Sequence, residues 1–124
     1  MLNTELVNGL PEVTAENLSA YLAKNLTGAK DQVHLIDVRG SDEFIAELGH
    51  IEGATLVTLG PELQAYLEEG AEGKLKDEAI VFICRSGGRS AQATMFSQQL
   101  GYQKVYNMRG GMLRWNELQL PTTK

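Results

Sequence analysis

The segment AIVFICRSGGRS, residues 79–90, decides the fold of this 124-residue chain. Its first part, Ala79–Ile83, is continuously apolar, which is typical of a strand covered on both faces of a sheet. Cys84, the only cysteine of the sequence, follows directly and precedes a pair of glycines. Apolar residues at helical spacing then predict a helix over about Arg89–Leu100. A strand, a glycine turn and a helix in this order place Cys84 at the carboxyl end of a strand, in the crevice where open α/β sheets bind ligands.

The residues around Cys84 predict a reactive thiol. Gly87 and Gly88 permit backbone angles that side chains resist, and the N–H groups of such a turn can form an anion-binding nest. The start of the helix adds a positive dipole end, and Arg85 and Arg89 add two charges. We therefore predict a pKa for Cys84 below the free value of about 8.5, and a nucleophilic role. The alternative is a buried inert cysteine, which would not need these neighbours.

Length and composition favour a single domain over residues 1–124, with its core at about 13–121. Eleven basic residues against sixteen acidic ones give a net charge of −5, which disfavours nucleic acid or an anionic membrane as a partner. The start of the chain lacks the pattern of a signal peptide, and no apolar run approaches the roughly 20 residues of a spanning helix. One cysteine cannot form an internal disulfide, so we expect a cytoplasmic protein.

Strands and helices are predicted to alternate along the chain. The predicted strands are Pro11–Val13, Val33–Val38, Gly53–Val57, Ala79–Ile83 and Lys104–Asn107. The predicted helices are a first one capped by Thr14 and continuing to Leu26, then Ser41–Leu48, Pro61–Glu69, Arg89–Leu100 and Met112–Leu118, with a turn at Thr27–Asp31. This alternation predicts an α/β fold of three layers, with a mostly parallel five-stranded sheet and helices on both faces.

Five motifs in this order resemble a single-domain rhodanese. They are Leu35–Arg39, Glu43-Phe44, Gly49–Ile51 with Gly53-Ala54, the cysteine loop, and Gly110–Trp115. The chain departs from the family pattern at Ile45–Leu48, which is longer than expected, and at Glu52, where the family often has proline. We expect these departures to alter the entrance to the crevice and not the cysteine loop.

The resemblance implies a thiosulfate sulfurtransferase without a cofactor. Cys84 would take a sulfane sulfur from thiosulfate or a polysulfide, hold it as a persulfide and pass it to cyanide or a thiol. A thioredoxin-like or sulfur-carrier protein is a further expected partner. The substrate would be bound by the loop residues Arg85, Ser86, Gly87, Gly88 and Arg89, with a structural role as the alternative for Arg89, because it begins a helix. Arg85, beside the nucleophile, is the expected clamp for departing sulfite.

Two alternatives remain open from the sequence. Related phosphatases and arsenate reductases use the same scaffold, but cell-cycle phosphatases have a loop one residue longer than Cys84–Arg89, and tyrosine phosphatases have a histidine where this chain has Ile83. A non-catalytic module that presents a persulfide would have the same loop as the enzyme. A metal site is not expected, because two histidines and one cysteine are scattered along the chain.

Four residues are candidates for supporting roles. Asp37 and Arg39 form a strand-end pair, in which Arg39 is expected to be structural and within reach of Glu43. Asp37 either orients the loop, through Arg89, or only ends its strand. Ser90, in the first turn of the helix, is expected to cap it through its hydroxyl, and Arg109 is a weaker candidate, because the loop after the fifth predicted strand should lie on the same rim as Cys84.

Overall fold

A six-stranded sheet organises the computed structural model, which describes residues 2–24 and 33–124. Its strands are β1 (Glu5–Val7), β2 (Leu10–Val13), β3 (His34–Asp37), β4 (Thr55–Leu56), β5 (Ile80–Ile83) and β6 (Val105–Met108). Their spatial order is β1-β2-β6-β5-β3-β4, and every neighbouring pair is parallel except β1 with β2. The most apolar strand, β5, therefore lies between β6 and β3, and its carboxyl end meets theirs at one edge.

Helices cover both faces of this sheet. They are α1 (Ala15–Lys24), α2 (Ser41–Phe44), α3 (Pro61–Ala71), α4 (Gly88–Gln99) and α5 (Gly111–Glu117), with one 3-10 turn at Leu75–Asp77. Residues of α3 and α4 share one core cluster with the sheet, and residues of α1 and α5 share the other. The predicted three-layer α/β fold is thereby confirmed.

Side chains of β5 alternate between the two cores. Ile80 and Phe82 belong to the cluster with α3 and α4, whereas Val81 and Ile83 belong to the cluster with α1 and α5. All four side chains are fully buried. Since a strand buried on both faces has no polar positions, its continuous apolar sequence is explained.

The predicted count of five strands was wrong, because β1 was missed. The chain reverses at Asn8 and Gly9, whose φ angles are 53° and 83°, and Val7 pairs with Leu10 across this two-residue turn. Asn-Gly is the dipeptide preferred in such turns, because both central residues need positive φ. The signal was therefore present in the sequence, although β1 itself is mostly exposed and has no apolar run.

Two helix ends also differ from prediction. The helix α2 ends at Phe44 and not at Leu48, and none of its residues is buried, so no core packing extends it. The helix α3 continues through Gly70 to Ala71, beyond the predicted end at Glu69. A Cβ at Gly70 would lie 2.5 Å from the Tyr102 hydroxyl, so this glycine serves close packing and not helix termination.

The remaining boundaries agree with prediction to within one or two residues. The predicted cap of α1 is confirmed, because the Asn17 N–H donates to the Thr14 hydroxyl at 3.1 Å. The predicted end of this helix at Leu26 and the turn at Thr27–Asp31 lie outside the described residues.

Candidate active site

The cysteine loop connects the carboxyl end of β5 to the start of α4. Cys84 follows β5 directly, and α4 begins at Gly88 with Gly87 as its N-terminal cap residue. Gly87 has φ of 106°, a conformation that favours glycine. Gly88 has no such angle, and a Cβ there would meet no atom within 4 Å. The expectation that both glycines are needed for the turn was therefore wrong for Gly88.

Hydrogen-bond donors surround the sulfur of Cys84, which is fully buried. The Gly87 N–H donates to Sγ at 3.0 Å, and the Ser90 hydroxyl oxygen lies 3.3 Å from Sγ. Burial raises the pKa of the thiol, but donation from the Ser90 hydroxyl and from the N–H groups of Ser90, Gly87 and Ser86 outweighs it, so the pKa lies below its ordinary value. The predicted direction is confirmed, and uncharged donors are the principal cause.

The first turn of α5 holds the outer side of the loop. The Met112 N–H donates to the Cys84 carbonyl and the Leu113 N–H to the Arg85 carbonyl, each at 2.9 Å. A Cβ at Gly111 would lie 2.5 Å from both carbonyl oxygens, and its φ is 56°. Because these carbonyls bind α5, the N–H groups of the loop are left to face the sulfur. The Gly110-Gly111 motif thus has a structural role that sequence reasoning did not assign.

Arg39 has the ion-pair partner that was expected, whereas Arg89 has a different one. Arg89 donates to the two carboxylate oxygens of Glu43 at 2.7 and 2.9 Å. Arg39, 1% exposed, donates from Nε and Nη2 to Asp37, which is fully buried, and from Nη2 to the Gly49 carbonyl. The structural ion pair of Asp37 with Arg39 is therefore present, but Glu43 hydrogen-bonds with Arg89. Asp37 makes no hydrogen bond to Arg89 in the described chain.

Arg85 differs from both arginines because its side chain is exposed. No salt bridge involves it within residues 2–24 and 33–124. It lines a cleft of about 190 Å³ together with Arg39, Glu43, Ala46, Glu47 and Leu48. The lengthened segment Ile45–Leu48 therefore supplies part of the cleft wall beside the cysteine loop, in agreement with the expected change at the entrance.

Ser90 has a role other than the one predicted, whereas Arg109 lies at the predicted rim of the sheet. Ser90 does not cap α4, because Gly87 is the cap residue and no side chain bonds there. Its hydroxyl instead contacts the sulfur and makes a short hydrogen bond to Asn107. Arg109 follows β6 and hydrogen-bonds with Glu12 and Glu5, toward the far edge of the sheet from β3. Sequence reasoning missed Asn107 and Glu12, which are buried polar residues on predicted strands.

A family comparison decides the relationship of this site to known proteins. The family model described as Rhodanese-like domain matches residues 19–118, which include the cysteine loop and the first turn of α5. The chain belongs to this family. As a rhodanese-like domain, it is 36% identical over 111 residues to a sulfurtransferase of Allochromatium vinosum, covering 89% of this chain and 92% of that protein.

Two further relatives support the assignment. The human thiosulfate:glutathione sulfurtransferase is 32% identical over 119 residues, covering 88% of this rhodanese-like domain and 96% of the human protein. The solution structure of a rhodanese-like domain from Anabaena superposes with a TM-score of 0.70 at 19% identity, covering 89% of this chain and 76% of that chain. The sequence relatives support a transferase of sulfur, and the solved structure supports the fold.

No group of three or more metal-binding side chains occurs among the residues that the structure describes. Within the same two segments, no helix is long and apolar enough to cross a membrane.

Proposed function

We propose that this chain is a sulfurtransferase that carries sulfane sulfur on Cys84 as a persulfide. The contact that carries the proposal is the 3.0 Å hydrogen bond from the Gly87 N–H to Sγ, within a loop whose carbonyls are bound by α5. Donors aimed at the sulfur stabilise the thiolate before attack and the persulfide anion after it. No histidine lies next to Cys84 in the sequence, so these donors do the work that a paired base does in other cysteine enzymes.

The proposed reaction has two displacements at sulfur. The Cys84 thiolate attacks the sulfane sulfur of thiosulfate, an S–S bond forms, and sulfite leaves with the electron pair of the broken bond. Cyanide or a thiolate then attacks the terminal sulfur, and the Cys84–sulfur bond breaks. The products are thiocyanate or a new persulfide, and the Cys84 thiolate is regenerated without any net oxidant.

Arg85 supports thiosulfate as a donor. Its exposed side chain lines the cleft beside the cysteine loop and has no ion-pair partner in the described residues. A free guanidinium can bind the oxygens of sulfite as negative charge develops on them. The name of the human relative, thiosulfate:glutathione sulfurtransferase, supports the same donor and a thiol acceptor. We extend the proposal to a thioredoxin-like or sulfur-carrier protein as a macromolecular acceptor, and to the cytoplasm as the location.

The proposal is tested by intact-mass measurement after incubation with thiosulfate. A gain of one sulfur atom is expected on the wild-type chain, with loss of that sulfur after addition of cyanide and release of thiocyanate. Cys84→Ser should show no gain, whereas Gly73→Ala, which lies outside the cysteine loop and whose Cβ would approach its nearest neighbour only to 4.0 Å, should load like wild type. An unmodified wild-type chain after exposure to thiosulfate and to polysulfide would contradict the proposal.

The same preparation separates the two alternative functions. Repeated turnover with free cyanide or a small thiol identifies an enzyme, whereas a single loading without turnover identifies a persulfide-presenting module. Hydrolysis of an aryl phosphate that disappears in Cys84→Ser would instead identify a phosphatase. The short six-residue loop from Cys84 to Arg89 favours sulfur over a tetrahedral phosphate.

A further inference from the structure

A line of buried hydrogen bonds leads away from the sulfur into the sheet. The Ser90 hydroxyl lies between Sγ of Cys84, at 3.3 Å, and Oδ1 of Asn107, with which it makes a short hydrogen bond. Nδ2 of Asn107 donates to Oε2 of Glu12 at 2.9 Å. Nε of Arg109 donates to Oε1 of Glu12, also at 2.9 Å. The thiol of Cys84 is thereby connected, through Ser90 and through Asn107 on β6, to the carboxylate of Glu12 on β2.

Two acceptors in this line compete for the single hydrogen of the Ser90 hydroxyl. A serine hydroxyl donates only once, yet the Ser90 oxygen has two acceptors in reach, the sulfur and Oδ1 of Asn107. The carboxylate of Glu12 accepts at both oxygens and cannot donate, so Asn107 must turn its NH₂ group toward Glu12. That orientation leaves the Asn107 carbonyl oxygen facing Ser90. Glu12 therefore determines that the carbonyl oxygen of the Asn107 amide, and not its NH₂ group, lies next to the Ser90 hydroxyl.

We propose that Glu12 and Asn107 are positioning residues that control whether the Ser90 hydroxyl donates to the reactive sulfur. The proposal rests on the role of Cys84 as nucleophile in the proposed function. While the sulfur is a thiol, the hydroxyl donates to Asn107 and its oxygen accepts the S–H. When the thiol proton leaves to solvent, the hydroxyl turns and donates to the thiolate. No covalent bond changes except S–H.

The competition between Asn107 and the sulfur for the Ser90 hydrogen limits how far the thiolate of Cys84 is stabilised relative to the thiol. A donor fixed on the sulfur would lower the pKa of Cys84 further, but a thiolate of lower pKa is a weaker nucleophile. An acceptor that competes for the Ser90 hydrogen keeps the sulfur more basic and more reactive at the same degree of burial. The arrangement thus adjusts the reactivity of Cys84 and not only its structure.

Other charged groups near the sulfur are left unchanged by the proposed variants. From the elements around the loop, they are Arg85, Arg89 with Glu43, and the buried pair Asp37–Arg39. The pKa of Arg89 is raised mainly by its hydrogen bond with Glu43, and the negative charge of Cys84 raises it further.

Glu12→Gln tests the proposal because it is expected to reverse the orientation of the Asn107 side-chain amide. The single oxygen of Gln accepts from the charged Arg109, so its NH₂ group faces Asn107, which must then turn its own NH₂ group toward Ser90. The hydroxyl of Ser90 is left with only the sulfur as acceptor. We expect the pKa of Cys84 to fall by about one unit, a tenfold gain in thiolate below the pKa. Asn107→Ala, which removes the competing acceptor, should lower it in the same direction.

The decisive comparison repeats both changes in a Ser90→Ala background. If Glu12 acts through the hydroxyl, Glu12→Gln and Asn107→Ala no longer shift the pKa there. A shift that persists without the hydroxyl would show a direct charge effect and overturn the proposal, as would an unchanged pKa in both single variants. Glu5→Gln is the matched control, because it removes a carboxylate from Arg109 while Glu12 keeps both of its donors. It should leave the pKa unchanged.

The pKa is measured from the pH dependence of alkylation by iodoacetamide and from the ultraviolet absorbance of the thiolate. Neither measurement needs a sulfur donor, so the result is independent of sulfur transfer. A chain that shows the Ser90-dependent shift but never gains sulfur contradicts the proposed function alone. A chain that gains sulfur but lacks the shift contradicts the positioning role alone. Circular dichroism checks that each variant is folded, and Asn107→Ala carries the test if Glu12→Gln does not fold.

Discussion

Arg89 and Glu43 are joined by two hydrogen bonds of 2.7 and 2.9 Å, although 46 positions separate them in the chain. The pair connects the first turn of α4, next to the cysteine loop, to α2 beyond the end of β3. Both side chains are about one-third exposed, at 37% and 30%. Arg89 is thus held in the scaffold of the loop, whereas the exposed Arg85 forms no salt bridge within the described residues.

The Arg89–Glu43 pair predicts a dependence of stability on pH. Hydrogen bonds from Arg89 lower the pKa of Glu43 from 4.5 to about 2. Since the folded-state pKa is below the unfolded one, the stabilisation is present above pH 4.5 and is lost as pH falls toward 2. Thermal unfolding from pH 6 to about 2 should therefore show Glu43→Gln destabilised at the upper end and equal to wild type at the lower end. The exposed Glu69→Gln should follow wild type throughout, and a constant deficit for Glu43→Gln would contradict the assignment.

Arg85→Ala is expected to slow sulfur loading from thiosulfate more than loading from an organic polysulfide, whose leaving group has no sulfite oxygens. A lost charge-assisted hydrogen bond of about 1.5–3 kcal/mol corresponds to a tenfold to hundredfold loss of rate if it forms in the transition state. Arg89→Ala should lower stability and slow both donors alike, since it removes the contact with Glu43. Loading rates are measured by quenched-flow mass spectrometry. Equal donor dependence in the two variants would exclude the clamp role of Arg85.

Gly111→Ala is expected to disturb the cysteine loop through the backbone. The new Cβ would lie 2.5 Å from the carbonyl oxygens of Cys84 and Arg85, so α5 must move away from the loop. Gly101→Ala is the control for the backbone cost alone, because its φ of 98° also disfavours a side chain while a Cβ there meets nothing within 4 Å. Urea unfolding should show Gly111→Ala less stable than the control by about 1–3 kcal/mol. Only Gly111→Ala should also change the pKa of Cys84.

Asp37→Asn is expected to be strongly destabilising. It leaves Arg39, which is 1% exposed, without its countercharge, and breaking a buried pair in this way costs about 3–5 kcal/mol. The exposed pair of His34 with Glu78 provides the comparison, and Glu78→Gln should cost less than about 1 kcal/mol. Urea unfolding of both variants at neutral pH measures the difference. Similar values for the two would show that the Asp37–Arg39 pair is not a main support of the strand end.

Local patterns were sufficient to predict the central features of the fold. The apolar run of β5 reflects burial on both faces, and the hydroxyl of Thr14 caps α1. Both features could be predicted because their sequence signals lie within a few neighbouring positions. The Asn8-Gly9 turn also had a local signal, but β1 has no apolar pattern and was missed. Helix ends that depend on packing, such as the passage of α3 through Gly70 against Tyr102, had no local signal.

The thiol, its glycine turn and the start of α4 were readable from the sequence, because one short segment contains all three. The partners of the charged and polar groups were not, since they come from strands and helices distant in the chain. Arg89 binds Glu43 and not Asp37, and Ser90 faces Asn107 instead of capping its helix. Parallel strands joined by helices bring together side chains that are distant in the chain, such as Arg109 and Glu12, which are 97 positions apart. Which of several acids a donor meets is therefore decided by the packing of the elements around β5, where buried polar groups such as Asp37 and Asn107 need a partner.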